Sequence, residues 1–458
     1  MKKTYICALT TLLLLGQMSC KKPNDFGDTN SDPAATTKPI VSALLSQVES
    51  NLGGYSSTSV LALYGGEYAQ YFTETQYPGV STYSLPQLSF TGYYSGDLYD
   101  LQNIINLNQS KNSVAVAKIL QQYIFWKITD AWGDVPYSQA LQGLKAITPV
   151  YDKQEDIYKG ILATLASAAA SMDNGPIPGD LIYNGNVDYW KRAANSLSML
   201  VAIQLSGKVP GASDYAATAF KAADAPGTYI ETNAQNFAVT YPGGSFKNPW
   251  WNIYNGRTDY AESKVVTDLT AALGDGRTVP FGGDFTDPNQ VTGGTVTSAI
   301  GIPPGLSRAD VTAFTTANPK WALVLRADKR TDVGTVVIIS AAEVALARAE
   351  AANLGWTSDD IVATYNSGIA LSFAQWGLAA PAAGYYTQPG VAISAVPSPT
   401  DTTVIKHISQ QRYLASYPDG HAAWDIWRKT GYPKLSAAPG ATSASGQIVR
   451  RFTYALSE

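Results

Sequence analysis

The side chains able to do chemistry are unevenly represented in this sequence. Its 458 residues include 28 Tyr, 10 Trp and 12 Phe, but only two His, two Cys and four Met. Two histidines, His407 and His421, exclude a His-rich metal centre, and two cysteines exclude a disulfide scaffold. What is plentiful is flat ring surface. Part of it falls in stretches that read as loops: Tyr77, Tyr83, Tyr93 and Tyr94, then Tyr241, Trp250, Trp251 and Tyr254, with Asn252, Asn255 and Arg257 close by. Rings on loops can stack on the apolar face of a ligand at little entropic cost, while amide and guanidinium groups hydrogen-bond a polar rim. The competing use of each ring is to pack its loop onto the body of the protein. Phe281, Asp284 and Phe285 are weaker candidates in a glycine-rich stretch.

Motifs for covalent or metal chemistry are missing. There is no H-E-x-x-H, no G-x-S-x-G, no phosphate-binding loop and no G-x-G-x-x-G. Asp28-Thr29-Asn30-Ser31-Asp32 starts like a calcium loop, but Pro33 stands where glycine is needed and Pro39 where the bidentate glutamate belongs. Glycoside hydrolysis needs two carboxylates roughly 5–10 Å apart, and nothing in the spacing singles out a pair. His421 reads as a hydrogen-bonded structural residue. No catalytic residue, metal or cofactor is assigned.

The elements that must hold the loops are helical. With 45% hydrophobic and 15% charged residues the chain has ample core material and is not a disordered polymer. A net charge of −4 gives no basic excess for a nucleic-acid partner. Val41, Leu44, Leu45, Val48 and Leu52 recur at helical spacing, as do Ala117, Leu120, Ile124 and Ile128 in a long stretch from Val114 to Trp132, ended by Gly133 and Pro136. Further helices are expected at 59–72, 97–108, 153–171, 188–206, 214–224, 260–273, 357–374, 403–416 and 420–429. Ser340 and Glu343 form a capping box that opens a helix through Asn353, with Val344, Ala347 and Ala351 as a small-residue face. The expectation is a mainly α fold of paired antiparallel helices, with loop-rich regions at about 73–96, 236–256 and 274–307. The last holds eight Gly and four Pro.

The N-terminus reads as an address. Lys2 and Lys3 precede an apolar run from Tyr5 to Gly16, too short to span a bilayer, as in a secretory signal peptide. Gln17-Met18-Ser19-Cys20 resembles the lipobox of bacterial lipoproteins, which predicts removal of residues 1–19, lipidation of Cys20 and a polar tether over 20–38. A single domain is expected over 39–458.

Five strings in order resemble the SusD/RagB family of outer-membrane nutrient-binding lipoproteins. They are Lys118 to Tyr123 continuing to Asp130-Ala131-Trp132-Gly133-Asp134-Val135-Pro136-Tyr137; Asn248-Pro249-Trp250-Trp251 with Arg257, Asp259, Ser263, Asp268-Leu269 and Gly274-Asp275-Gly276-Arg277; and Ala342-Glu343-Val344 through Ala349-Glu350-Ala351-Ala352 to Gly355-Trp356. The fourth is Gln411-Arg412-Tyr413-Leu414-Ala415 with Asp419-Gly420, Trp424 and Trp427 to Pro433, and the fifth is Arg450-Arg451-Phe452-Thr453-Tyr454. Gly276 replaces the family's usual proline. Most of these residues read as structural: Trp424 and Trp427 as core, Arg412 and Arg428 as partners of buried carboxylates such as Glu350 and Asp425.

The resemblance implies a scaffold of tetratricopeptide-like helix pairs under irregular loops, displayed on the cell surface of Bacteroidetes-type bacteria. It further implies a SusC-like TonB-dependent β-barrel transporter as partner, an oligosaccharide as ligand, attachment to the outer membrane through the N-terminal lipid, and no catalysis. The same architecture binding peptides or another nutrient is the alternative. A surface glycoside hydrolase is a third reading, which predicts a cleft containing a carboxylate pair with one pKa raised.

Overall fold

The computed structural model describes residues 39–84, 87–254, 256–283, 298–443 and 445–456, and Val41–Glu458 belongs to one structural unit. The first helix, α1 (Val41–Tyr55), buries Val41, Leu45, Val48 and Leu52, the stripe that helical spacing predicts. It is followed by α2 (Val60–Tyr68), strand β1 (Phe72–Glu74), α3 (Thr91–Ser95), α4 (Asp97–Leu107) and the long α5 (Lys111–Trp132). The Ser110 hydroxyl caps α5 by accepting from the Ser113 amide, and Gly133, at φ 87°, ends it. Then come α6 (Gln154–Ser171), α7 (Val187–Leu205), α8 (Tyr215–Ala223), β2 (Phe237–Pro242), β3 (Tyr260–Glu262), α9 (Lys264–Leu273) and α10 (Thr278–Gly282). The remainder is α11 (Arg308–Ala317), β4 (Val333–Ile339), α12 (Ala341–Asn353), α13 (Ile361–Gln375), α14 (Ala383–Thr387), α15 (Thr402–Ala415) and α16 (Gly420–Thr430).

Neighbouring helices in sequence pack as pairs: α5 on α6, α6 on α7, α7 on α8, α12 on α13 and α15 on α16. This is the expected mainly α, helical-pair scaffold. On α12 the capping box at Ser340 and Glu343 is present, and Val344, Ala347 and Ala351 are fully buried. Helices α2 and α16 cross so closely that a side chain at Gly420 would strike the backbone of Ala62 and Gly66. None of the described helices is long and apolar enough to cross a membrane.

The strings that carry the family resemblance knit this core. Trp424 is fully buried and stacks on Phe452, centroids 5.4 Å apart, while the Phe452 amide donates to Ala131 O at 2.8 Å. Arg277 and Asp275 form a fully buried ion pair at 2.6 Å, closed by Gln411 and Tyr385. Arg412 and Lys429 both hold Glu350, and Arg428 holds Asp425. His421 is fully buried beside Asp425, with its Nδ1 3.2 Å from the carboxylate.

Three sequence expectations are corrected. The helix expected over 59–72 stops at Tyr68: Gln70 takes a left-handed φ of 59° and the chain turns into β1. The expected 260–273 helix begins only at Lys264, because 260–262 pairs with β1, Phe72 opposite Glu262. The loop-rich region 236–256 opens with a true strand, β2, which buries Phe237, Val239 and Tyr241 in alternation and pairs antiparallel with β4, Thr240 opposite Thr335. The period-two pattern of β2 is short and is flanked by Gly and Pro turn formers, which mask it in the sequence.

Candidate ligand-binding site

The turn after β1 carries the most exposed of the candidate rings. Glu74 sits at the end of β1 and its Oε2 accepts from the Val80 amide at 3.0 Å. The Ser81 hydroxyl bridges Glu67 (3.0 Å) and Glu74 (3.4 Å), and the Thr82 hydroxyl donates to Pro78 O at 2.5 Å. At the other end the Tyr83 ring is buried and its phenolic oxygen accepts from the Ala438 amide at 3.0 Å. The turn is thus tied down on both sides, leaving Tyr77 at its tip 66% exposed.

A second segment comes up beside it. The Thr75 amide donates to Asp259 O at 2.7 Å and its hydroxyl bonds Thr258 O. This places Arg257 over Tyr77, with the guanidinium carbon 5.6 Å from the ring centroid, and Arg257 also pairs with Asp259. From α11, Arg308 approaches the same ring at 6.0 Å. Alongside lies an open cleft of about 340 Å³ lined by Thr75, Gln76, Thr258, Thr315, Lys320 and Trp321, among others. The cleft itself offers hydroxyls, an amide and the Lys320 ammonium, and the Tyr77 ring with Arg257 and Arg308 stands next to it through Gln76 and Thr258; together these are the groups needed to stack on and hydrogen-bond a hydroxylated ring. Among the described residues no carboxylate side chain lines the cleft.

The other candidate rings are dispersed. Tyr83, Tyr241, Trp250 and Tyr254 are packed into the body, each 3–5% exposed. Tyr241 lies against Gly53 and donates to Ser50 O at 2.9 Å; Trp250 packs edge-on to Phe72, centroids 6.1 Å apart. The Tyr254 hydroxyl donates to Tyr260 O (2.8 Å) and accepts from the Val324 amide (2.7 Å). These rings fasten loops to the body, and Trp250 also lines a cavity of about 440 Å³ with Trp376 and Tyr417. Tyr94 is half-buried, with its hydroxyl on Pro136 O at 2.6 Å.

Tyr93, also half-buried, lies between Tyr55 (5.7 Å) and Trp132 (6.2 Å) on the wall of a separate groove of about 400 Å³, and burial pushes its phenol up to about 12. Asp97 in that groove accepts from Asn51 and Tyr55, each at 2.9 Å. Trp251 and Asn252 are exposed, with Lys247 Nζ 3.9 Å above the Trp251 ring. Phe281 is fully buried. Asn255, Asp284, Phe285, the Asp28–Asp32 string and Cys20 lie outside the described residues.

Of the candidates among the described residues, Tyr77 and Arg257 are brought into mutual contact. Sequence reasoning missed Arg308, Thr315, Thr316, Lys320 and Trp321. The usable signal was Ser307, three residues before Asp310, whose hydroxyl caps α11. Among the described residues no group of three or more His, Cys, Asp or Glu could hold a metal ion.

Comparison with known proteins agrees with this architecture. A chitin-binding SusD homolog from Flavobacterium johnsoniae superposes with a TM-score of 0.77 at 22% identity, covering 91% of this chain and 92% of its own. A SusD homolog from Bacteroides uniformis gives 0.72 at 24% identity, covering 90% and 92%. A further structure, described as a chitin-binding protein, gives 0.75 at 24% identity over 92% and 93%. No curated protein matches the chain. A family model described as "Starch-binding associating with outer membrane" matches residues 33–455, and the chain accordingly belongs to the SusD-like family.

Proposed function

We propose that this protein is a cell-surface lipoprotein that captures oligosaccharides at the Tyr77 cleft and passes them to a partner TonB-dependent outer-membrane transporter. The observation that carries the reading is the exposed Tyr77 ring on a braced turn, beside Arg257, Arg308 and a hydroxyl-lined cleft. A pyranose ring has an apolar C–H face and a hydroxyl rim, and a stationary ring flanked by hydrogen-bond donors matches both without ordering a loop first. The starch-binding description of the family and the chitin-binding descriptions of similar structures support a glycan over a peptide.

Binding without turnover is the companion reading. Among the described residues the cleft lining offers Thr, Gln and Lys but no carboxylate pair to act as acid and base. Cys20 carries the lipid after removal of residues 1–19, and residues 20–38 serve as the tether. Calorimetry against a panel of oligosaccharides tests the ligand class, and chromatography of the recovered sugars tests turnover. Shortened products, or binding that Tyr77→Ala leaves intact, would overturn this function. Metabolic labelling with a fatty acid, lost on Cys20→Ser, tests the anchor, and co-purification of a β-barrel transporter from membranes tests the partner.

A further inference from the structure

The charges around Tyr77 run against those of the whole chain. The protein carries a net −4, yet Arg257 and Arg308 both approach the Tyr77 ring, and Lys320 lines the cleft formed by the chain neighbours of Tyr77 and Arg257, Gln76 and Thr258. Arg257 is paired with Asp259 but remains 61% exposed. Arg308 and Lys320 are exposed and have no carboxylate partner among the described residues. The nearest acid in sequence to Arg308, Asp310, accepts instead from the Ser307 hydroxyl at 2.6 Å. Two cations without a carboxylate partner among the described residues, close to an exposed ring, give this part of the surface a positive potential.

We infer that the oligosaccharide taken by this cleft is an acidic one, carrying carboxylate or sulfate groups on its sugar rings. The inference rests on the glycan-capture reading above and narrows it. The Tyr77 ring accepts the C–H face of one residue, while the planar guanidinium of Arg308 presents a fork that fits a carboxylate or sulfate with two parallel hydrogen bonds. Lys320 supplies a point charge across the cleft, and Arg257 can share itself between Asp259 and the ligand. The positive field also steers a polyanionic chain toward the site before contact.

The test is an array of oligosaccharides in matched neutral, carboxylated and sulfated forms, followed by calorimetry of the best binder at low and high salt. The expected result is preference for an acidic form on the order of tenfold over its carboxyl-reduced or desulfated counterpart, weakening with salt. Arg308→Gln should abolish most of that preference while leaving weak binding of the neutral form. The carboxylated and sulfated arms tell the two acids apart. Equal or better binding of the neutral form, lost with Tyr77→Ala, would overturn the acidic assignment and leave glycan capture standing. Binding of no saccharide in any form would overturn both.

Discussion

Tyr77 and Arg257 come from loops far apart in the chain, and the guanidinium carbon of one lies 5.6 Å from the ring centroid of the other. At an exposed site such a contact contributes about 0.5–1 kcal/mol, too little to hold two loops together by itself. The loops are held by other bonds, Thr75 to Asp259 and Glu74 to Val80. The ring–cation contact therefore follows from the scaffold and remains available to a ligand.

Tyr77→Ala should weaken oligosaccharide affinity by tenfold or more, because a central ring that a ligand covers commonly carries a large share of binding energy. Folding stability should change by no more than about 0.5 kcal/mol, since the side chain is 66% exposed. Calorimetric titration and a thermal melt on the same sample separate the two effects. A large drop in melting temperature would mean the ring is a structural strut.

Trp250→Ala should do the reverse. The ring is 3% exposed and packs against Phe72, so truncation leaves a cavity costing roughly 3–5 kcal/mol. Any loss of ligand affinity should track loss of folded protein, measured by comparing active-site titre with denaturant midpoint. A stable Trp250→Ala protein that fails to bind would place this ring at the ligand.

The contrast between these two aromatics marks where sequence reading stops. Val41 to Leu52 and Ala117 to Ile128 announce helices because apolar residues recur there at helical spacing, a local signal, although burial in the second is continuous from Ile119 to Trp132. Ser340 and Glu343 announce a helix start because both capping bonds lie within one turn. Tyr77 and Trp250 are both aromatic residues in turn-rich stretches, and only the family string around Trp250, Asn248-Pro249-Trp250-Trp251, sets them apart in sequence. What buries Trp250 is Phe72, and what buries Tyr83 is the segment around Ala438, both long-range packing events. Arg308 and Lys320 escaped notice because an isolated surface cation has no periodicity. The β2–β4 ribbon escaped because strand pairing across such a sequence gap is decided by tertiary contact.

Glu350 should define the acid limit of stability. Burial alone would raise its pKa, but Lys429 and Arg412 beside it more than offset that and hold it below the usual carboxylate value. A lowered folded pKa contributes stability that is present above the unfolded value near 4.5 and lost as pH falls through the folded one. Lys429, pushed down to about 8 by burial and by Arg412, is charged below that pH. Glu350→Gln should therefore cost roughly 3–5 kcal/mol near neutral pH, because two buried cations lose their shared partner. The penalty should shrink as pH falls through the lowered folded pKa of Glu350, where the wild-type carboxyl itself becomes neutral. Urea midpoints at neutral and acid pH give both quantities, and a penalty unchanged with pH would refute the assignment.

Glu67 and Glu74 should set the opposite limit, and they bear on the site because Glu74 braces the Tyr77 turn. Burial is the main cause that raises both carboxyls; Glu74 adds charge repulsion at Glu67, against the hydrogen bonds from Ser81 and, at Glu74, from Val80. The surrounding titratable groups that face them, Tyr64, Tyr68 and Tyr260, are neutral phenols with raised pKa values, so no cation relieves the pair. A raised folded pKa gives stability that is full below the unfolded value near 4.5 and lost as pH rises through the folded values. For one proton the slope reaches about 1.4 kcal/mol per pH unit. Glu67→Gln keeps the shape and removes one ionisable group, so it should match the wild type at pH 4.5 and melt higher at pH 8. Ligand affinity of the wild type should decline over the same alkaline range as the turn loosens, and that of Glu67→Gln should hold. Identical melting curves for the two proteins at pH 8 would show that the pair carries no buried charge there.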